Sequence, residues 1–231
     1  AEGCTRARAV MTAGRGGPAG WLPALLLLWC AGLYLRMPIM MTAPLGPIIA
    51  GEFGLGKAGL GALTTLPVLM FSLGAMTGAL VMTWLGARQG VMAGLVVIGL
   101  ASAARGWVAE PWQLHVAGIC LGMGIAVLQP ALAGLLVRWP AAKIALATGI
   151  YMNGFLLGEV LGAGATLPVL LPAVGGDWRW VFAVVSLPAL LVAAAFLIWP
   201  ATPPEAARGL PLRALRRPLV LLAGVTLGGA G

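Results

Sequence analysis

Long apolar runs divided by short polar breaks form the main pattern along this chain. An α-helix needs about 20 apolar residues to cross a bilayer, and six runs are that long. Their limits are 21–49, 58–84, 90–107, 113–137, 144–171 and 179–199. A seventh run begins at 218 and continues to 231, the last residue of the sequence. The pattern predicts an all-α integral membrane protein with six membrane-spanning helices and the start of a seventh.

The runs and breaks divide the chain into four segments. Residues 1–20 form a basic segment ahead of the first run, and 21–199 hold the six predicted helices. Residues 200–217 form a proline-rich, basic loop, and 218–231 begin the seventh helix. Because 218–231 is shorter than a membrane span, we expect this chain to be a truncated part of a longer protein.

Composition agrees with a membrane location. Of the 231 residues, 61% are hydrophobic and 9% are charged, and the mean hydropathy is +1.01. A soluble domain is about 45–50% apolar and about 25% charged, so a soluble fold is excluded. The net charge of +8 is spread over the polar breaks rather than gathered in one patch. We therefore read it as a signal of membrane orientation and expect no nucleic-acid partner.

Lysine and arginine are distributed unequally between the two sides of the predicted helices. On the side of the N-terminus lie ten: Arg6, Arg8, Arg15, Arg88, Arg138, Lys143, Arg208, Arg213, Arg216 and Arg217. On the opposite side lie three: Lys57, Arg105 and Arg179. Cytoplasmic loops carry the excess of basic residues, so we expect a cytoplasmic N-terminus in the inner (cytoplasmic) membrane. Eight of the nine tryptophans fall at predicted span ends, where aromatic belts form.

Two charged residues, Arg36 and Glu159, lie deep within the predicted spans. Arg36 follows Trp21 by 15 residues and Glu159 follows Lys143 by 16. At 1.5 Å per residue both lie about 22–24 Å from the N-terminal-side ends of their helices. A charge at such depth costs about 2.5–3.5 kcal/mol and marks a candidate functional residue. Either the two side chains pair with each other, or Arg36 binds an anionic substrate while Glu159 takes up a proton or tunes the site.

Two amides form a second polar layer. Gln129 and Asn153 lie about 13–15 Å from the N-terminal side by the same helical rise. Their side chains either bind the substrate or bond across helices. The helix of Asn153 also carries Gly154, Gly158 and Gly162 at intervals of four, which predicts close packing against another helix. The candidate substrate-binding residues are therefore Arg36, Gln129, Asn153 and Glu159.

The sequence offers little material for catalysis, a cofactor or a metal. The three cysteines form no CxxC pair, and His115 is the single histidine. An HExxH motif, paired acids and clustered histidines are absent from the sequence, although zinc and acid–base sites need such groups. We therefore expect no catalytic residue, no cofactor and no metal, and no enzyme activity.

Four stretches carry a more specific signal. They are LYLRMPIMMTAPLGPII (33–49), ALTTLPVLMFSLGA (62–75), GIAVLQPALAGLLVRWPAAKIALATGIYMNGFLLGE (124–159) and DWRWVF (177–182). Together they resemble the N-terminal half of a major facilitator superfamily transporter, and more narrowly the cyanate permease / nitroimidazole transporter family. The loop GALVMTWLGARQG (78–90) departs from the superfamily's Gly-x-Leu-x-Asp-Arg-x-Gly-Arg pattern, because it holds Gly86 and Arg88 but no acid.

The resemblance implies one six-helix half of a twelve-helix fold, with a missing C-terminal half and a site near the membrane midplane. It implies a secondary active transporter that moves a small solute by alternating access. Its partners would be the lipid bilayer, the small-molecule substrate and, as a candidate coupled ion, a proton. Arg36 matches the family's first-helix arginine, so the expected solute is an anion of the cyanate type. The alternatives are efflux of neutral or aromatic drugs or metabolites, an inactive truncated half, and a membrane-embedded enzyme.

Overall fold

The computed structural model describes residues 21–198, which form helices joined by short turns. The helices are α1 (Leu22–Met40), α2 (Thr42–Phe53), α3 (Lys57–Leu85), α4 (Ala87–Gly106), α5 (Pro111–Leu136), α6 (Ala141–Val160) and α7 (Trp178–Ile198). Beyond α6 the same span continues as the π-helix Leu161–Leu170 and one last α-helical turn, Leu171–Ala173. Three predicted segments lie outside the described residues: 1–20, 200–217 and 218–231.

Within residues 21–198 these helices make six spans that are long and apolar enough to cross a membrane. This confirms the predicted all-α architecture and the six membrane helices. The limits differ from the apolar runs by a few residues at each end. Measured on the helix limits, the largest difference is in the first span, which continues to Phe53 instead of ending at 49, because the polar Glu52 still belongs to the last turn of α2.

The first span is broken at Met41, where α1 ends and α2 begins. Proline has no backbone N–H, and its ring collides with the carbonyl group four residues earlier. Pro44 therefore leaves the Met40 carbonyl without its helical partner, and Pro38 lies in the last turn of α1. The apolar run from 21 to 49 did not show where the break falls.

Helix α6 packs against α1 along the predicted glycine stripe. A Cβ atom on Gly158 would overlap the carbonyl oxygen of Leu33, and Gly154 stands in the same relation to the Trp29 carbonyl. Gly162, one turn later, continues the contact with α1. Only residues without a large side chain let two helix backbones approach this closely, so the predicted role of the stripe is confirmed.

The other helices form a second group. Helix α3 packs on α5, α5 on α4, and α4 on α7. Buried aliphatic and aromatic side chains fill these contacts, among them Leu95, Ile98, Leu121 and Phe182. Helix α1 also contacts α4, α5 and α7, so it lies between α6 and the second group.

Side chains tie helix ends together on both sides of the bundle. Arg88, at the start of α4, donates to the Phe196 carbonyl at 3.0 and 2.8 Å and to the Leu197 carbonyl at 2.9 Å. A cation at the carbonyl end of a helix is favourable, so the acid-free loop uses its arginine to cap α7. At the opposite ends, Arg179 pairs with Glu52 at 2.6 Å.

Arg105 departs from the predicted charge distribution. It was counted with the polar breaks on the side opposite the N-terminus, but the structure leaves it only 1% exposed. Helix α4 continues through Gly106, and the arginine side chain bonds Thr42 of α2 at 2.9 Å instead of reaching water. The long, flexible stem of arginine can place the guanidinium either in water or inside the bundle. The sequence does not distinguish these two positions.

Candidate functional site

A cavity of about 200 Å³ lies between α1, α3, α5 and α6. Its lining is mostly apolar, with one charged residue and two polar ones. The lining residues are Leu35, Arg36, Ile39, Val68, Phe71, Ser72, Ile125, Gln129 and Phe155. The structure thus brings together two of the four candidate site residues, Arg36 and Gln129.

Arg36 presents an unpaired guanidinium at this cavity. Its side chain is half-buried, and its terminal carbon lies 4.9 Å from the centre of the Phe155 ring. Among residues 21–198 it forms no ion pair. Stacking on an aromatic face holds the guanidinium in place and leaves its planar set of N–H donors free for a ligand.

Gln129 and Ser72 supply the other polar groups of the lining. Gln129 is exposed at the cavity on α5, and its amide can both donate and accept hydrogen bonds. Ser72 of α3 donates to the Val68 carbonyl of its own helix at 3.0 Å, which leaves its oxygen able to accept. Sequence reasoning missed Ser72 because a single hydroxyl in an apolar run gives no signal until the helices are packed.

Asn153 lies outside the cavity lining. Its Oδ1 accepts a hydrogen bond of 3.0 Å from Nε1 of Trp29, so the amide joins α6 to α1. The bond continues the α1–α6 contact made by Gly154 and Gly158. Of the two roles that the sequence left open for Asn153, this geometry supplies a helix-to-helix hydrogen bond.

Glu159 also lies outside the cavity lining. It is half-buried on α6, and within the described range it forms no ion pair with Arg36 or with any other cation. The structure therefore does not show the ion pair between Arg36 and Glu159 that was one of the two interpretations of the sequence. The π-helix Leu161–Leu170 begins two residues further on, and π-helical segments often lie at functional sites.

Across residues 21–198, no three His, Cys, Asp or Glu side chains lie close enough together to hold a metal ion. The chemistry of the site is therefore that of the Arg36 guanidinium, the Gln129 amide, the Ser72 hydroxyl and two aromatic rings. Such a set can bind and orient a small solute with acceptor atoms.

We expect the Trp29–Asn153 bond to be structural, and paired substitutions test this. Trp29→Phe removes the donor and Asn153→Leu removes the acceptor, so each should lower the stability of the complete protein by a similar small amount. Interhelical hydrogen bonds in membranes average about 0.6 kcal/mol. Because both substitutions remove the same bond, the double variant should lose no more stability than either single variant. Thermal melting in detergent measures this effect. A change in substrate affinity in Asn153→Leu but not in Trp29→Phe would place Asn153 in the substrate site instead.

Comparisons with known proteins agree with the fold. The family model of the Major Facilitator Superfamily matches residues 28–230. The 2-nitroimidazole transporter of Escherichia coli (strain K12) is 31% identical over 166 residues, which is 72% of this chain and 41% of that protein. The chain therefore spans well under half the length of this relative.

Two solved structures of a bacterial homologue of the human lysosomal transporter Spinster share the architecture. The inward-facing, unoccupied form superposes with a TM-score of 0.68 at 21% identity, over 84% of this chain and 45% of that one. The inward-facing, occupied form gives 0.64 at 21% identity, over 82% and 46%. At this identity the likeness establishes the fold alone.

Proposed function

The chain belongs to the Major Facilitator Superfamily, and we propose that it forms one half of a secondary active transporter for a small solute. The complete protein would have two six-helix halves that expose a central site to either side of the membrane in turn. The fraction of the nitroimidazole transporter that this chain spans, 41%, fits one such half.

The unpaired guanidinium of Arg36 in the central cavity carries the proposal about cargo. A guanidinium makes its strongest hydrogen bonds to anionic acceptors, and its planar fork suits small planar or linear anions. The part of the cavity that this chain lines has a volume of about 200 Å³, and the second half would supply the remaining wall in the complete protein. A small anion of the cyanate type is therefore the cargo we propose.

A neutral nitro-aromatic solute is the second candidate. The relative named for 2-nitroimidazole favours it, and so do the aromatic rings of Phe71 and Phe155 in the cavity lining. A flat ring can stack on these side chains while its nitro oxygens accept hydrogen bonds from Arg36. Both candidates place acceptor atoms at the same guanidinium.

Uptake by the complete protein in liposomes tests the proposal. Liposomes with the protein should accumulate labelled cyanate faster than liposomes without it, and unlabelled cyanate should compete. Uptake of 2-nitroimidazole with no effect of cyanate would support the second candidate. Equal uptake of both solutes with and without the protein would contradict the proposed function.

The proposed orientation follows from the basic residues. The ends of α1, α4 and α6 at Leu22, Ala87 and Ala141 would face the cytoplasm, because that side holds most lysine and arginine in the sequence. The protein would then lie in the inner membrane with a cytoplasmic N-terminus. Labelling of single cysteines at Lys57 and Arg138 in whole cells would show which end of the bundle faces outwards.

Glu159 is the proposed proton carrier. It is a membrane carboxylate without an ion pair in the described part of the chain, and such residues often serve proton relays. We expect a pH gradient to accelerate uptake by the wild-type protein and to have no effect on Glu159→Gln, which cannot release a proton. Uptake in liposomes with and without the gradient measures this. Equal gradient dependence in both proteins would contradict the role.

A further inference from the structure

A buried arginine that the proposed cargo site does not use lies at the break in the first span. Nη1 of Arg105 donates to Oγ1 of Thr42 at 2.9 Å and to the Pro38 carbonyl at 3.4 Å. Its guanidinium carbon lies 5.5 Å from the centre of the Phe182 ring. One side chain of α4 therefore contacts the last turn of α1, the first residue of α2, and α7.

Among residues 21–198, the surroundings of Arg105 supply no ion pair. A Cβ atom on Gly118 of α5 would lie 3.1 Å from Nη2 of Arg105 and 3.4 Å from Cγ of Pro67 in α3. Nε of Arg105 has no hydrogen-bond partner in the described chain, and no described carboxylate pairs with it. Arginine stays charged in proteins. An unpaired charge buried in a membrane bundle is expensive and indicates a functional role.

The residues that hold Arg105 adjoin those that line the cavity. Pro38 comes two residues after Arg36, and Pro67 directly precedes Val68 of the lining. Around the break the prolines supply no backbone N–H, so the first span has lost part of the hydrogen bonding that keeps a helix straight. Arg105 bonds to groups on both sides of this weak point.

We propose that Arg105 is a positioning residue, which holds the two sides of the break together and so fixes Arg36 in the cavity. The inference rests on the proposed function, because the proposed function makes the cavity the cargo site. Arg105 does not line the cavity itself. It acts on cargo through α1.

Amide hydrogen exchange in the complete protein tests the contact without any transport assay. Arg105→Met keeps an unbranched side chain and removes the charge and its donors. We expect exchange in residues 37–46 to rise at least about tenfold, because local opening of the break is no longer opposed. The melting temperature should hold or rise, since an unpaired buried charge is gone. Unchanged exchange at 37–46 would overturn the proposal.

Ser102→Ala is the matched control. Ser102 lies one turn earlier on α4 and is also 1% exposed, and its hydroxyl has no partner among the described residues. This variant should leave exchange at 37–46 at the wild-type rate. A rise equal to that in Arg105→Met would show a general loosening of α4 and overturn the specific role of Arg105.

Transport kinetics test the effect on the cargo site. We expect Arg105→Met to raise the KM for cargo about tenfold, with a smaller change in maximal rate, and Arg105→Lys to recover part of the loss. If Arg105→Met fails to fold, Thr42→Val removes the hydroxyl that accepts from Arg105 and donates to the Pro38 carbonyl, keeps Arg105 in place, and should still raise both exchange and KM. A Thr42→Val protein identical to the wild type in both would overturn the proposal.

Failure of the proposed function gives a different result. The wild-type protein would then transport neither solute, or Arg36→Ala would leave the KM for cargo unchanged. Either result is independent of the rate of amide hydrogen exchange at 37–46 in Arg105→Met. Faster exchange in Arg105→Met with an unchanged KM would overturn the positioning of Arg36 by Arg105.

Discussion

Replacing Arg36 by alanine in the complete protein is expected to raise the KM for cargo by about 10- to 150-fold. Hydrogen bonds to a charged group contribute about 1.5–3 kcal/mol each, and every 1.4 kcal/mol is a factor of ten. Arg36 brings an unpaired guanidinium to the cavity, so its loss removes the main attraction for an anion. Arg36→Lys should fall between, because lysine keeps the charge but not the planar fork. Uptake in liposomes over a range of cargo concentrations measures the change.

Two controls separate binding from folding in this experiment. Arg36 stacks on Phe155, so Arg36→Met, which keeps the apolar stem, should melt near the wild-type temperature and still lose affinity. Arg138→Ala, at an exposed position outside the cavity lining, should keep the wild-type KM. A wild-type KM in both Arg36→Ala and Arg36→Met would remove Arg36 from the cargo site.

Replacing Gly158 by alanine is expected to destabilise the whole bundle. The new Cβ atom would overlap the carbonyl oxygen of Leu33, and backbone atoms of two packed helices cannot move aside as a side chain can. Overpacking of this kind costs about 1–3 kcal/mol or more. Separation of α1 from α6 would also move Arg36 away from Phe155. Thermal melting and the yield of monodisperse protein in detergent measure the loss.

Gly149 provides the control for this prediction on the same helix. A Cβ atom there would meet nothing within 4 Å, and alanine favours helix over glycine by about 1 kcal/mol. Gly149→Ala should therefore melt at or above the wild-type temperature. Equal melting temperatures for Gly158→Ala and Gly149→Ala would show that the close contact between α1 and α6 is not needed.

The sequence predicted those features that follow from apolar length and from spacing along one helix. A bilayer requires long apolar helices, so the six spans could be placed to within a few residues. Glycines every four residues lie on one face of a helix, so Gly154 and Gly158 predicted a close contact with another helix, which the structure shows to be α1. Arg36 stood out because a charge inside an apolar run is rare. These inferences needed no knowledge of which helices are neighbours.

The remaining features depend on contacts between helices that are distant in the sequence. Asn153 is a polar residue in a span, but only the packing of α6 on α1 shows that Trp29 is its donor. Ser72 joins the site because α3 and α1 both line the cavity. Arg105 lies near the end of its run, where reaching water or turning inward is equally compatible with the pattern. The packed bundle decides between these outcomes.

Protection of a cavity cysteine by cargo tests the assignment of the site most directly. In the complete protein with native cysteines replaced, Ser72→Cys is labelled with a small water-soluble thiol reagent in the presence and absence of cyanate or 2-nitroimidazole. Lys57→Cys, exposed at the start of the same helix, serves as the reference position. If the cavity beside Arg36 binds cargo, one of these solutes slows labelling at position 72 and leaves position 57 unaffected. Equal labelling at position 72 with and without a transported solute would show that cargo binds elsewhere.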